Sequence, residues 1–350
     1  NSNPDNESII AAMMGGKYGD RMTFLERVYN VLTQLTWSHA VVEYGADYLQ
    51  EVVGPKLGGA HDIMAASSLV FLNSDPLADF PKLTSARVID IGGISVHDGH
   101  KPLDEYWSKV LGRRSKTVFL SFGTWIKGIL MPQEYKETIR ETIRKFPDVT
   151  FIWKYEDPEE EISKGLANVV ETTWAPQTDI LHDARLTAFI THGGQGSITE
   201  SATAGVPLVC IPVTADQFRN GRQVERNGVG VMVEKESLAT VGPLEQALRR
   251  VIDNDSYRQN AQKLAQMIAD RPFSMKDIFV RNMEFLAKYG PLDRLHHHAV
   301  NLSFIEYYLI DVFTFFAFAV VSFAAISVFI VWKILRITSR LITVRKLKTQ

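Results

Sequence analysis

The stretch from Trp174 to Gln217 holds the residues best suited to chemistry. An apolar run of strand length, Leu186–Thr191, leads into His192-Gly193-Gly194-Gln195-Gly196-Ser197, then the small-residue segment Ile198–Ala204, then a second apolar run, Pro207–Pro212. Glycines between a strand and a helix let the backbone approach a ligand closely, and the first N–H groups of the helix form an anion site. A phosphate suits such a place. Ser197 is expected at the N-cap, where its hydroxyl and the neighbouring amides reach a phosphate oxygen, with Glu200 three residues on. The same pair could equally be a capping box, although that alone accounts for neither His192 nor the paired glycines. A dinucleotide fingerprint is disfavoured, because Gly194-x-Gly196-x-x-Thr199 carries Thr where the motif needs a third Gly or Ala.

The elements that would position these groups read as short apolar strands separated by segments of helix length. The strands are 117–122, 149–153, 169–171, 186–191, 207–211 and 229–233, and their alternation with helices argues a parallel, doubly wound sheet. Ligands bind such sheets at the carboxyl ends of the strands. Four polar clusters fall on that edge: Ser121-Phe122-Gly123-Thr124, Trp174–Gln177, His192–Ser197 and Thr214–Gln217. Chance would scatter them over both edges. An indole such as Trp174 offers a broad apolar face for a flat base to stack on, Gln177 supplies both donor and acceptor, and an ionised Glu200 is acceptor-only.

The segment from Trp174 to Gln217 resembles the signature of the UDP-glycosyltransferases, the membrane-bound family that includes the UDP-glucuronosyltransferases. The similarity runs from Met22-Thr-Phe-Leu-Glu-Arg27 to the C-terminal apolar helix. The resemblance implies an α/β, two-domain GT-B type glycosyltransferase with a C-terminal transmembrane helix. It implies that uracil and ribose lie at Trp174, Gln177 and Glu200, that the diphosphate faces His192, Gly194, Gly196 and Ser197, and that Asp216 and Gln217 hydrogen-bond the donor sugar. Ser121, Gly123 and Thr124 join them from the first strand of the sheet. One position departs from the pattern: many relatives, especially in plants, have Asn where this chain has Gly196, which shifts the work there to the backbone N–H.

The implied reaction transfers glucuronate or glucose from its UDP-sugar to a small lipophilic acceptor with inversion. The UDP-sugar is a co-substrate, and neither a cofactor nor a metal is expected. A glucuronate carboxylate would want a cationic partner, for which Arg219, three residues past Asp216, is the candidate. Family members carry a catalytic His and its orienting Asp early in an N-terminal acceptor domain, and the sequence is expected to begin after both, so no catalytic residue is assigned. His39, His61, His97 and His100 lie in no Gly-rich strand-end loop. The chain is therefore expected to bind UDP without transferring sugar. A non-catalytic UDP-sugar-binding subunit, associating with its own kind or with full-length partners, is the alternative; a transferase using lipid-linked acceptors is another.

Over 350 residues, 45% hydrophobic and 22% charged composition is ordinary for a globular protein, and a net charge of −2 gives no electrostatic reason to expect nucleic acid. Residues 1–96 read as the remnant of the acceptor domain, 97–115 as a linker with Pro102 and four basic residues, and 116–290 as the donor domain. Residues 21–50 read as a helix whose apolar face (Phe24, Leu25, Val28, Val31, Leu32, Leu35) either packs within its domain or meets acceptor or membrane. Three later helices are expected at 244–252, 256–268 and 276–288. The lone Cys210, inside an apolar run, reads as a buried structural thiol. The adjacent histidines 296–298 cannot converge on one ion as residues at i and i+4 can.

After a juxtamembrane segment, 291–311, residues 312–332 carry no charge over 21 positions, enough to cross a core of about 30 Å. Lys333, Arg336, Arg340, Arg345, Lys346 and Lys348 follow, whereas Glu306 and Asp311 precede. The positive-inside rule puts residues 333–350 in the cytosol and the large domain across the membrane. The terminal Lys346-Leu347-Lys348-Thr349-Gln350 resembles a dilysine retrieval signal, which points to the endoplasmic reticulum with the large domain luminal. The sequons at Asn6, Asn254 and Asn301 are compatible with that face but decide nothing.

Overall fold

The structure is a computed structural model that describes residues 18–19, 22–33, 36, 51, 66–82, 84–96, 100–295 and 302–347. Contacts divide the chain into Asn1–Leu292 and Asp293–Gln350. In the first unit, β1 (Val70–Leu72) and β2 (Val88–Asp90) form a parallel pair. The main sheet comprises β3 (Lys116–Ser121), β4 (Val149–Lys154), β5 (Val169–Thr172), β6 (Leu186–Thr191), β7 (Leu208–Cys210) and β8 (Gly230–Met232). All its pairings are parallel, in the order β5-β4-β3-β6-β7-β8.

These strands read as unbroken apolar runs because both faces of the sheet are covered. Val118 and Leu120 of β3 pack with Ile139, Ile143, Leu244 and Leu248 on one side, from α2 (Gln133–Arg144) and α6 (Val241–Asp253). Phe119, between them, packs on the other side with Trp107, Val110, Ile198 and Leu264. Those residues come from α1 (Glu105–Leu111), α4 (Gln195–Ala204) and α7 (Asp255–Ala269). The remaining helices of the unit are α3 (Gln177–Leu181), α5 (Gln217–Arg226) and α8 (Met275–Tyr289). Numbered from β3, the strand order is that of a doubly wound sheet whose direction of growth reverses between β3 and β6. The crevice at such a reversal is where a ligand enters.

One expectation changes. A helix with three buried residues, Trp107, Val110 and Leu111, lies inside the polar stretch 97–115 that reads as a linker, capped by Asp104 accepting from Trp107 N at 2.8 Å. Residues 24–33 are helical as the spacing implies, and Phe24, Leu25, Val28, Val31 and Leu32 are exposed. Leu35, the histidines 39, 61, 97 and 296–298, the sequon residues Asn6 and Asn301, and Lys348 lie outside the described residues.

The second unit holds a one-turn helix, α9 (Phe304–Tyr307), and α10 (Ile310–Leu347). The apolar part of α10 spans Ile310–Thr338, 29 residues of mean hydropathy 2.5 with none of its most apolar window buried. It is longer than residues 312–332 because the helix runs on past Trp332, carrying Lys333 and Arg336 on the same rod.

Candidate functional site

β3 and β6 lie side by side, Ser121 opposite Thr191, so the loops that follow them meet at the point of reversal. After β3 the chain turns at Gly123, whose φ of +83° is left-handed, and after β6 it passes His192 to Gly194, the N-cap of α4. The imidazole of His192 is wedged between the two glycines. A Cβ on Gly123 would stand 2.7 Å from its Cε1, and one on Gly194 would stand 2.4 Å from its Nε2. The residue is 9% exposed, and Nδ1 lies 3.3 Å from Thr191 Oγ1. Burial lowers its pKa and the Lys154 ammonium adds to this, against the opposing pull of Asp216, so the ring is neutral at pH 7, with one nitrogen a donor.

The first bond within α4 runs from Ile198 N to Gly194 O, 3.1 Å, so the amides of Gln195, Gly196 and Ser197 belong to the turn that a helix offers to an anion. Ser197 is thus the third residue of α4, not its N-cap, and Glu200 is the sixth. The capping-box alternative fails with it. Glu200 instead bridges two helices: its carboxylate accepts from Gln177 Nε2, at the start of α3, and from Thr178 Oγ1 at 3.0 Å. Gln177 Nε2 also reaches Ser197 Oγ at 3.4 Å. An ionised carboxylate has about four lone-pair sites, so two acceptor positions on Glu200 are left for hydroxyls.

Trp174 stands just before α3 and is 70% exposed. Its backbone is pinned by Thr172 Oγ1, which donates to Trp174 O at 2.6 Å and accepts from Trp174 N at 3.3 Å. On the far side, Asp216 is the N-cap residue of α5 and accepts from Asn220 Nδ2 at 2.8 Å. The same amide donates to Gly193 O at 2.9 Å, which joins α5 to the His192 loop. Gln217 is buried, and its Oε1 accepts from the Val213 and Thr214 amides at 2.9 and 3.1 Å, which leaves its NH₂ for a ligand. Ser121 Oγ accepts from Gly123 N at 3.2 Å, whereas Thr124 is exposed at the rim. A Cβ at Gly196 would meet nothing within 4 Å.

The structure adds residues that the motif reading missed. Lys154 closes β4 and donates to Gly123 O at 2.7 Å, and Glu156 accepts from Gly128 N at 2.7 Å, so the loop carrying Thr124 and the exposed Trp125 is tied at two points. The signal was a single basic residue ending an apolar strand on the ligand edge. Arg219 is spoken for, since its guanidinium is ion-paired with Asp79 at 2.5 Å and lies over the Phe80 ring. His100 stacks on His182, ring centroids 4.7 Å apart. Cys210 is fully buried, and burial pushes its thiol pKa well up, as a structural role requires.

A family model described as UDP-glucoronosyl and UDP-glucosyl transferase matches residues 2–349. The chain belongs to this family. Among curated relatives, UDP-glucuronosyltransferase 1A7 of Mus musculus is 32% identical over 323 residues, 91% of this chain and 58% of the relative. UDP-glucuronosyltransferase 1A10 of Homo sapiens is 32% identical over 316 residues, 89% of this chain and 58% of the relative. The chain spans a little over half the length of the curated relatives it matches, 56–58%. A solved structure of the glycotransferase of kitacinnamycin superposes with a TM-score of 0.53 at 21% identity, covering 77% of this chain and 68% of the other. That likeness shows the fold: α/β, with a parallel sheet of the GT-B glycosyltransferase type.

Proposed function

We propose that the crevice between the β3 and β6 loops binds a UDP-sugar, glucuronate or glucose, and that family members use it to glycosylate small lipophilic acceptors with inversion. The observation that carries this reading is the neutral His192 wedged between two glycines beside the open first turn of α4. Trp174 offers the uracil a face, Gln177 and Glu200 offer the ribose a donor and acceptors, and Asp216 with the Gln217 NH₂ meets the sugar hydroxyls. In the transfer step an acceptor oxygen forms a bond to the anomeric carbon from the face opposite UDP. The bond from that carbon to the β-phosphate oxygen breaks with its electron pair, and a base on the acceptor side takes the acceptor proton. The charge growing on the diphosphate is met by the amides of Gln195–Ser197 and the His192 N–H.

The proposal extends to the compartment. The apolar helix Ile310–Thr338 anchors the chain in the endoplasmic reticulum membrane, with Lys333, Arg336 and the basic residues after them on the cytosolic side and the large unit luminal. The donor-site reading is tested by calorimetric titration of the purified 350-residue chain with UDP and uridine. UDP is expected to bind at least about a hundredfold more tightly, as two charge-assisted hydrogen bonds to the diphosphate imply. Equal affinities, or no binding of either, would discard the phosphate assignment.

A further inference from the structure

Helix α5 presents Asp216 and Gln217 to the site, yet among its buried residues (Gln217, Asn220, Gly221, Gln223 and Val224) only Val224 is a large apolar side chain. Non-directional burial therefore does little to fix its place, and directional polar bonds must. On one side these are Asn220 to Gly193 O, and the Val213 and Thr214 amides to Gln217. On the other side stands a segment from the connection between β1 and β2, outside the main sheet. Asp79 Oδ1 accepts from both Arg219 and Gln223 of α5, while Oδ2 accepts from Ser74 Oγ at 2.5 Å. Asn227, just past the helix, donates to Ala78 O at 2.6 Å. Phe80, 2% exposed, is covered by the guanidinium groups of Arg219 and Arg226, 5.3 and 5.8 Å from its centroid. Residues 219, 223, 226 and 227 recur at spacings of three and four, so the segment grips one face of the helix over two turns.

We infer that Asp79 is a positioning residue for the donor sugar: by holding Arg219 and Gln223 it sets α5, and through α5 the placement of Asp216 and Gln217. The inference rests on the donor-site reading above and adds to it a link by which the connection between β1 and β2 governs the sugar end of the site. The pair is well shielded, its side chains 16% and 10% exposed, so breaking it leaves a charge in a poorly solvated place. Sites of this kind tolerate only about 0.5 Å of misplacement. Uracil and phosphates lie on α3 and α4, which Asp79 does not touch in any bond described above. Helix α5 touches the phosphate loop through Asn220 and Gly193 O but presents Asp216 and Gln217 directly, so loss of Asp79 should be felt more by the sugar than by UDP.

The experiment compares UDP, UDP-glucose and UDP-glucuronate by calorimetry on the full chain in detergent, for the native protein, Asp79→Ala, Arg219→Met and the double variant, with melting curves alongside. The expected result is that the ratio of UDP-sugar affinity to UDP affinity falls about tenfold in each single variant and no further in the double, as for residues acting through one pair. The milder Asp79→Asn, which keeps an acceptor for Gln223, should fall between, and it serves if Asp79→Ala does not fold. An unchanged ratio in Asp79→Asn and Arg219→Met, or a parallel loss for UDP and its sugars, overturns the inference. If the native chain binds none of the three, the donor-site reading itself is overturned, and the inference goes with it.

Discussion

His192 can lie where it does because neither Gly123 nor Gly194 has a Cβ, and the two positions differ in how they enforce it. At Gly194 an added methyl would collide with Nε2 at 2.4 Å, whereas at Gly123 the collision with Cε1 at 2.7 Å is joined by a φ of +83°. Alanine in the left-handed region costs roughly 1–2 kcal/mol by itself. Gly194→Ala is expected to lower UDP affinity at least about tenfold with a small change in melting temperature, and Gly123→Ala to lower both. Gly196 behaves otherwise. Its Cβ would enter open space on the first turn of a helix, so Gly196→Asn should fold at least as well and bind UDP no more weakly. A tenfold loss there would show that the backbone needs glycine after all. Titration adds a second test. Burial holds the His192 pKa below the value near 6.5 of an unfolded histidine, so the unfolded chain binds the proton first. Its contribution to stability is whole above about pH 6.5 and is lost as the pH falls through the lower folded value. The melting temperature should drop from pH 7 to pH 5 by more in the native chain than in His192→Gln; equal slopes would place the proton elsewhere. The motif residues were legible because their types are rare together. Lys154 and Asp79 were not, since a lone charge gives no sign in sequence of what it will face.

Among the elements, the strands of the main sheet were legible to within a residue or two because burial on both faces makes each an uninterrupted apolar run, as Phe119 and its two neighbours on β3 show. Helix starts were harder. The N-cap of α4 is a glycine with no side chain to advertise it, so Ser197 and Glu200 imitated a capping box about one turn too deep. Likewise α1 hides Trp107, Val110 and Leu111 among charged neighbours, and its seven residues are too few for a clear period. The true partners of Glu200 change what its removal should do. Because its carboxylate holds Gln177 and Thr178 across α3 and α4, Glu200→Ala removes acceptors for a ribose and also a link between the two helices that follow Trp174 and His192. A loss of about 1.5–3 kcal/mol in UDP binding is expected, with a melting temperature a few degrees lower. Glu200→Gln, which can still accept from one of the two donors, should recover most of the stability and less of the affinity. A lowered melting temperature with unchanged affinity would make Glu200 a purely structural brace.

At the scale of the whole molecule the chain pairs a unit built on a parallel sheet with a helix whose composition suits a bilayer, and each had its own signature in sequence. For the sheet unit it was the order of apolar runs. For the helix it was a stretch without charge, although α10 continues well past Trp332, where that stretch ends, because basic side chains are good helix formers. At about 1.5 Å per residue the 29-residue apolar span is roughly 43 Å long, more than a core of about 30 Å. Crossing such a core would bring its ends to the headgroup layers, where Lys333 and Arg336 on one side would extend toward lipid phosphates; Trp332 lies 5.2 Å beneath the Arg336 guanidinium. Glu306 and Asp311 stand at the opposite end. Basic residues are retained on the cytosolic side, so in sealed microsomes an added protease should reach only the residues after Trp332, and a tag placed after Gln350 should be lost while the large unit stays whole. Detergent should expose that unit at once. Digestion of the large unit in intact vesicles would reverse the orientation, and release of the chain into an alkaline carbonate wash would show that α10 does not span the membrane.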